Sequence, residues 1–184
     1  DPHITRGSSS ALARAMRLAV EDVDHAARHL LHQADFIAAK LMGQGGVSDH
    51  SNTLKTGFDP ETETWPDWVA NCAFNPALLP KVRPVGAPLA LIDVHVATEL
   101  GLPRTATIHA GTTDSIAAFL ACAPLQEGAA VTSLGTTLAV KLLSPTRIDD
   151  PEIGLYSHRL GNVWLVGGAS NTGGGVLLDY FDPG

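Results

Sequence analysis

The chain has 184 residues, 45% hydrophobic and 17% charged, with 18 glycines and 12 prolines, a composition of globular domains rather than of disordered or fibrous chains. That length holds one ordinary domain or two small ones. A net charge of −7 argues against nucleic acid or an anionic membrane surface as the main partner, because both select a basic face.

No apolar run approaches the length of a bilayer span and no stretch reads as a signal peptide, so a cytoplasmic location is expected. The first residue is Asp1 and the sequence stops at 182–184, just after a predicted helix begins, so both ends are expected to continue into a longer polypeptide. Cys72 and Cys122 form no C-x-x-C pair and do not predict a zinc site.

In chain order, residues 8–40 read as helical. Residues 8–10 offer N-caps, and Ala11, Leu12, Ala15, Met16 and Ala19 recur at helical spacing. An acidic break at 21–24 precedes a second helix, predicted from about residue 25 to residue 42 and ending at Gly43. On that helix His25, His29, His32 and Asp35 would share one face. The spacing lacks the Glu and Gly of the metzincin pattern, so a solvated or partly packed face is the preferred reading over a metal site. Residues 43–68 are dense in turn formers and predict an ordered connection with short elements. Trp65 and Trp68 flank a Pro-Asp pair that suits a helix start; they are read as anchors to the core rather than as a sugar-stacking platform. Asp49 and Asn52 are read as loop caps or as ligands. The proline-punctuated stretch 78–88 is the candidate domain boundary.

Asp93 caps a short helix ending at Gly101, and residues 105–109 predict a strand in which His109 is packed. A turn at 110–114 then opens a helix over 115–123. Residues 130–134 and 138–143 form a hairpin on Gly135, Thr136 and Thr137, and residues 155–160 and 163–166 form another on Gly161 and Asn162. In the second hairpin His158 and Arg159 could reach a cleft, with pairing at the surface the preferred reading. A glycine-rich turn at 167–175 leads to an amphipathic helix at 176–181. The mixture of strands and helices predicts an α/β architecture.

Three stretches carry candidate chemistry. In AGTTDSIAAFLA, residues 110–121, Asp114 follows a Gly-Thr-Thr turn and opens a helix. Backbone N–H groups and the helix dipole at that place keep a carboxylate ionised, and an ionised carboxylate in a cleft can take a proton from an attacking hydroxyl. The plainer reading is an N-cap. In SLGTTLAV, residues 133–140, a hairpin tip of Gly135, Thr136 and Thr137 presents N–H groups and hydroxyls to an anion, or is an ordinary turn. In GGASNTGGG, residues 167–175, glycines between a strand and a helix permit close approach of a nucleotide. The spacing fits neither the Rossmann fingerprint nor the P-loop.

The order and spacing of the three stretches resemble the second-domain entry of the FGGY carbohydrate kinases. HQADFIAAKLMGQGGVSDHSNTLKTGFDP, residues 32–60, resembles the family segment in which an Asp-bearing helix (here Asp35) leads to a (T/S)-D-x-x-N motif (here Ser48, Asp49 and Asn52). The similarity runs from about Leu30 to Phe181 and is nearest the ribulose- and xylulose-kinase-like branch. It implies the actin-like ATPase (ribonuclease H-like) fold, with residues 1–84 as the end of a sugar-binding domain and 85–184 as the start of an ATP-binding domain. It implies ATP-dependent phosphorylation of a ketopentose, with ATP and Mg2+ as cofactors, Asp114 as general base, and Asp114 and Ser115 at the substrate. Ser115 stands where glycerol kinases have a glutamine, which makes glycerol a poorer candidate. Gly135, Thr136 and Thr137, with Gly167, Gly168 and Thr172, would meet the nucleotide. The family's D-x-G-T phosphate loop and its later adenosine loop are not in this sequence, so the 184 residues alone are expected to be inactive. A small-molecule sugar is the expected partner, a homodimer the candidate assembly, and neither nucleic acid nor membrane is expected. The alternatives are a non-catalytic actin-fold module that binds nucleotide or a partner, and a kinase for another sugar or polyol.

Overall fold

A computed structural model describes residues 10–181. Its contacts divide into two compact units, one ending at Thr113 and the other beginning at Asp114. The proline-rich stretch 78–88 therefore runs inside the first unit.

The first unit begins with α1, Ala11–Glu21, capped by the Ser10 hydroxyl, which accepts from the Ala13 N–H at 3.1 Å. Residues 8 and 9, the other proposed caps, lie outside the described residues. The next helix, α2, spans Gln33–Met42 and stops at Gly43 in the left-handed conformation. It does not reach back to residue 25. The Asp22 carboxylate takes the N–H groups of Ala26 and Ala27 at 2.9 and 3.1 Å, closing a tight turn in which His25 has φ +49°. Asp35 then accepts from the His32 N–H at 2.9 Å, which sets the helix start one residue later. Side chains that bond their own backbone here outcompete helix continuation, so the predicted face of His25, His29, His32 and Asp35 does not form.

Strand β1, Val47–Asp49, leads directly into α3, His50–Thr53, then a 3-10 turn at Leu54–Thr56 and α4, Asp67–Ala70, which starts after Pro66 as the Pro-Asp pair predicts. β2, Lys81–Arg83, lies parallel to β1. β3, Pro88–Leu91, precedes α5, Val94–Leu100, whose N-cap is Asp93 and whose end is Gly101. β4, Thr107–His109, pairs antiparallel with β3. Leu54, Phe58, Val69, Ile92 and Ala97 are buried, and burying side chains of this size stabilises by about 1.5–3 kcal/mol each for the larger ones. Trp65 is the anchor expected: its ring meets Phe58 edge-on at 5.2 Å and its indole N–H donates to the Pro80 carbonyl at 3.2 Å. Trp68 and Val69 pack against Gly57, where φ is +110° and a Cβ would stand 2.8 Å from both side chains, so only glycine fits. His109 departs from expectation: it is exposed, and its Nδ1 bonds the Gly86 carbonyl at 2.8 Å.

The second unit is one helix and a four-stranded antiparallel sheet. α6 spans Asp114–Cys122 and buries Ile116 and Phe119. The strands are β5 (Ala130–Leu134), β6 (Leu138–Ser144), β7 (Tyr156–Leu160) and β8 (Val163–Ser170), in the order β5-β6-β8-β7. Both predicted hairpins form, and Leu143 faces Leu165 across the central pair, both buried. His158 is buried and meets Tyr156 edge-on at 5.3 Å, instead of standing at the surface. β8 is longer than predicted. It sits between β6 and β7, and β6 supplies hydrogen-bonding partners as far as Ser170. The segment expected to become an amphipathic helix at 176–181 is instead a 3-10 turn at Gly174–Asp179, and residues 182–184 lie outside the described residues. Among the described residues no helix is long and apolar enough to cross a membrane.

Candidate functional site

Asp114 is the first residue of α6 and is exposed to solvent. Its Oδ1 accepts from the Ser115 N–H at 2.6 Å, a charge-assisted bond that holds the carboxylate at the helix entrance. Ser115 is exposed beside it, and its carbonyl accepts from the Lys141 Nζ at 2.5 Å. Ser115, Gly167 and Gly168 line one cavity of about 210 Å3 together with Lys141, Tyr156 and His158. Residues far apart in sequence are thus collected around the start of α6.

Gly167 and Gly168 lie within β8, paired with Lys141 and Val140 of β6. They are not part of a turn following a strand, which corrects the local structure expected for GGASNTGGG. The turn comes later. Thr172 is exposed, and its N–H donates to the Ser170 Oγ at 3.1 Å. Gly135, Thr136 and Thr137 form an exposed hairpin tip, as expected.

The sequence did not indicate that Gly173, Gly174 and Gly175 pack directly on that tip. The Gly174 N–H donates to the Gly135 carbonyl at 2.7 Å. A Cβ on Gly173 would stand 2.3 Å from the Thr137 carbonyl carbon, and one on Gly174 would stand 2.8 Å from the Gly135 carbonyl oxygen. No side chain can be accommodated there without moving backbone. The two glycine-rich stretches therefore pack backbone against backbone. A glycine triplet with no matching phosphate-loop spacing was the only signal in the sequence.

The acidic residues of the first unit are arranged differently. Asp49 is buried; its Oδ1 accepts from the N–H groups of Ser51 and Asn52 at 2.8 and 2.9 Å, and its Oδ2 from the Asn52 amide at 2.6 Å. Burial pushes the Asp49 carboxyl above its ordinary value, opposed by the bonds from Asn52, while nearby Asp35 raises it further. Asp35, also buried, is bonded by His32 Nδ1 at 3.0 Å, and His32 Nε2 meets the Thr56 hydroxyl at 2.9 Å. Asp49 is thus the N-cap of α3, and Asn52, inside that helix, donates to it through both its backbone N–H and its side-chain amide. The hydroxyls of Ser48, Ser51, Thr112 and Thr113 are buried without a hydrogen-bond partner among the described residues. A larger cavity of about 790 Å3, between α1 and the segment that follows it, carries none of the expected site residues.

No protein-family model matches the sequence. Solved structures do resemble it. Xylulose kinase from Rhodospirillum rubrum superposes with a TM-score of 0.83 at 22% identity, over 96% of this chain and 37% of that one. The fold is that of the FGGY carbohydrate kinases. A xylulose kinase from Brucella ovis gives a TM-score of 0.77 at 20% identity, over 92% of this chain and 36% of that one. Plasmodium falciparum glycerol kinase, solved with ADP, gives 0.71 at 17% identity, over 90% and 35%. The chain thus carries the actin-like kinase fold over a little more than a third of the length of these enzymes.

Proposed function

We propose that this chain forms the central part of an ATP-dependent ketopentose kinase acting on a D-ribulose- or D-xylulose-type sugar. The observation that carries the reading is an exposed carboxylate, Asp114, at the entrance of α6 in a chain with the FGGY kinase fold. In the proposed reaction Asp114 accepts the proton of the sugar hydroxyl while the hydroxyl oxygen bonds the γ-phosphorus and the bond to ADP breaks. Ser115 contacts the sugar beside it. The tip of Gly135, Thr136 and Thr137 meets the nucleotide phosphates, braced from behind by the glycines at 173–175. Gly168 and Thr172 line the nucleotide side, and Gly167 acts from within the sheet.

In this reading residues 1–84 end the sugar-binding domain and 85–184 begin the ATP-binding domain. The tip that would meet ATP is held in place by the glycines at 173–175, which pack on it too closely for any side chain. Among the described residues no group of three His, Cys, Asp or Glu side chains could hold a metal ion. Magnesium would come with the nucleotide and offset phosphate charge. A cytoplasmic homodimer is part of the same proposal.

The test is a coupled ADP-release assay with a panel of ketopentoses, glycerol and other polyols. It should be run on the 184-residue chain and on the complete protein. The complete protein is expected to turn over a ketopentose and the 184-residue chain is not, because phosphoryl transfer requires both reactants held in place. Equal rates would refute the proposed division of labour, and no turnover with any sugar would refute the kinase reading.

A further inference from the structure

Two residues face each other near the start of α6: a lysine in the middle of a sheet strand, which has no role in the reaction as described, and a glycine directly opposite it. Lys141 lies on β6 and is paired with Gly167 on β8. A Cβ on Gly167 would stand 3.0 Å from the Lys141 Cγ and 3.2 Å from the Val140 carbonyl oxygen. The missing side chain at Gly167 therefore leaves the corridor along which the lysine stem crosses the sheet. At the far end of that stem the ammonium bonds the Ser115 carbonyl at 2.5 Å. The N–H of the same Ser115 holds the Asp114 carboxylate at 2.6 Å.

The packing around this contact gives it weight. Ser115 and Lys141 both line the cavity of about 210 Å3 that reaches Tyr156 and His158, and both line a second cavity of about 180 Å3 bounded by Ala118, Phe119 and Cys122. The first turn of α6 thus meets the sheet across open space on two sides, with the lysine spanning the gap. On the same helix Ile116 and Phe119 are buried, while Asp114 and Ser115 are exposed. A charge-assisted bond from an ammonium is stronger than a neutral one and localises the group it reaches.

We infer that Lys141 is a positioning residue for Asp114, acting through the Ser115 backbone, and that Gly167 is glycine to let the lysine pass. This rests on the reading of Asp114 as the base, but its mechanical half does not. The inference also reassigns Gly167, which acts behind the site rather than at a phosphate.

Two measurements test it. The first is amide hydrogen exchange on the 184-residue chain. Lys141→Met should speed exchange in the first turns of α6 by roughly tenfold or more, while amides of β6 and β8 stay protected as the control for folding. Lys141→Arg should restore most of the protection. Unchanged exchange in α6 for Lys141→Met would overturn the inference whatever the protein's activity.

The second is steady-state kinetics on the complete protein. Lys141→Met should lower kcat by about tenfold to a hundredfold with KM for sugar and ATP within about twofold, because misplacing a base costs rate more than binding. Gly167→Ala should resemble it, and the double variant should be no slower than Lys141→Met alone. Fully additive losses would show that the two residues act separately, and an effect confined to KM would make Lys141 a ligand contact. Either result would overturn the inference. Undiminished turnover in Asp114→Asn would instead overturn the kinase reading and leave the exchange result standing.

Discussion

Asp49 and Asp114 both stand at the start of a helix, yet the two units treat them in opposite ways. In the first unit Asp49 is buried, accepts three hydrogen bonds, and lies close enough to Asp35 to be raised by it. In the second unit Asp114 is exposed, and its Oδ1 accepts from the N–H of the next residue. A carboxylate whose lone pairs are filled by its own backbone is a structural cap. One that keeps acceptor capacity facing solvent can receive a proton. The same residue type at the start of a helix is thus buried and fully bonded in one unit and exposed in the other.

Substitutions break this comparison in opposite senses. Asp114→Asn in the complete protein should lower turnover by about a thousandfold or more, because an amide cannot take the proton, while thermal unfolding shifts little. Steady-state kinetics beside a melting curve check both halves. Asp49→Ala should do the reverse. Loss of a buried cap with three donors left unpaired should cost about 2–3 kcal/mol, read from urea unfolding.

The comparison extends to glycines. Gly173→Ala places a methyl against the Thr137 backbone at 2.3 Å, so it should cost about 1–3 kcal/mol and displace the hairpin tip. Gly86→Ala, where a Cβ would meet nothing within 4 Å but φ is +79°, carries only backbone strain. It should cost about 1 kcal/mol and leave ATP binding unchanged. A nucleotide titration on both variants separates the two cases.

The smallest effect concerns pH. The Asp49 carboxyl binds its proton more tightly in the folded than in the unfolded chain, since burial raises it. Its contribution is therefore fully present below the unfolded value, near 4, and is lost as pH rises through the folded value. Relative to Asp49→Asn, the wild-type chain should lose stability across the weakly acid range and then run parallel. Unfolding curves taken at several pH values check this, and a rise in the opposite direction would show that the hydrogen bonds outweigh burial.

Most elements could be read locally. Asp93 with Gly101 marks α5, Pro66 with Asp67 marks the start of α4, and each hairpin has its turn residues between apolar runs. The failures share a cause. The helix predicted from residue 25 is broken by Asp22 bonding backbone four and five residues ahead, a competition that hydrophobic spacing does not register. β8 extends through the glycines at 167 and 168 because a neighbouring strand supplies partners, which is a non-local gain. His158 is buried because Tyr156 and the sheet cover it.

For the site, the sequence by itself determined that Asp114 opens a helix and that Gly135, Thr136 and Thr137 make a tip, since capping and turn chemistry act over three or four residues. Only the tertiary structure decided which acid is exposed, that the glycines at 173–175 pack on that tip, and that Lys141 crosses the sheet to Ser115. Those outcomes depend on burial and on contacts between residues far apart in the chain, and neither spacing nor composition encodes them directly.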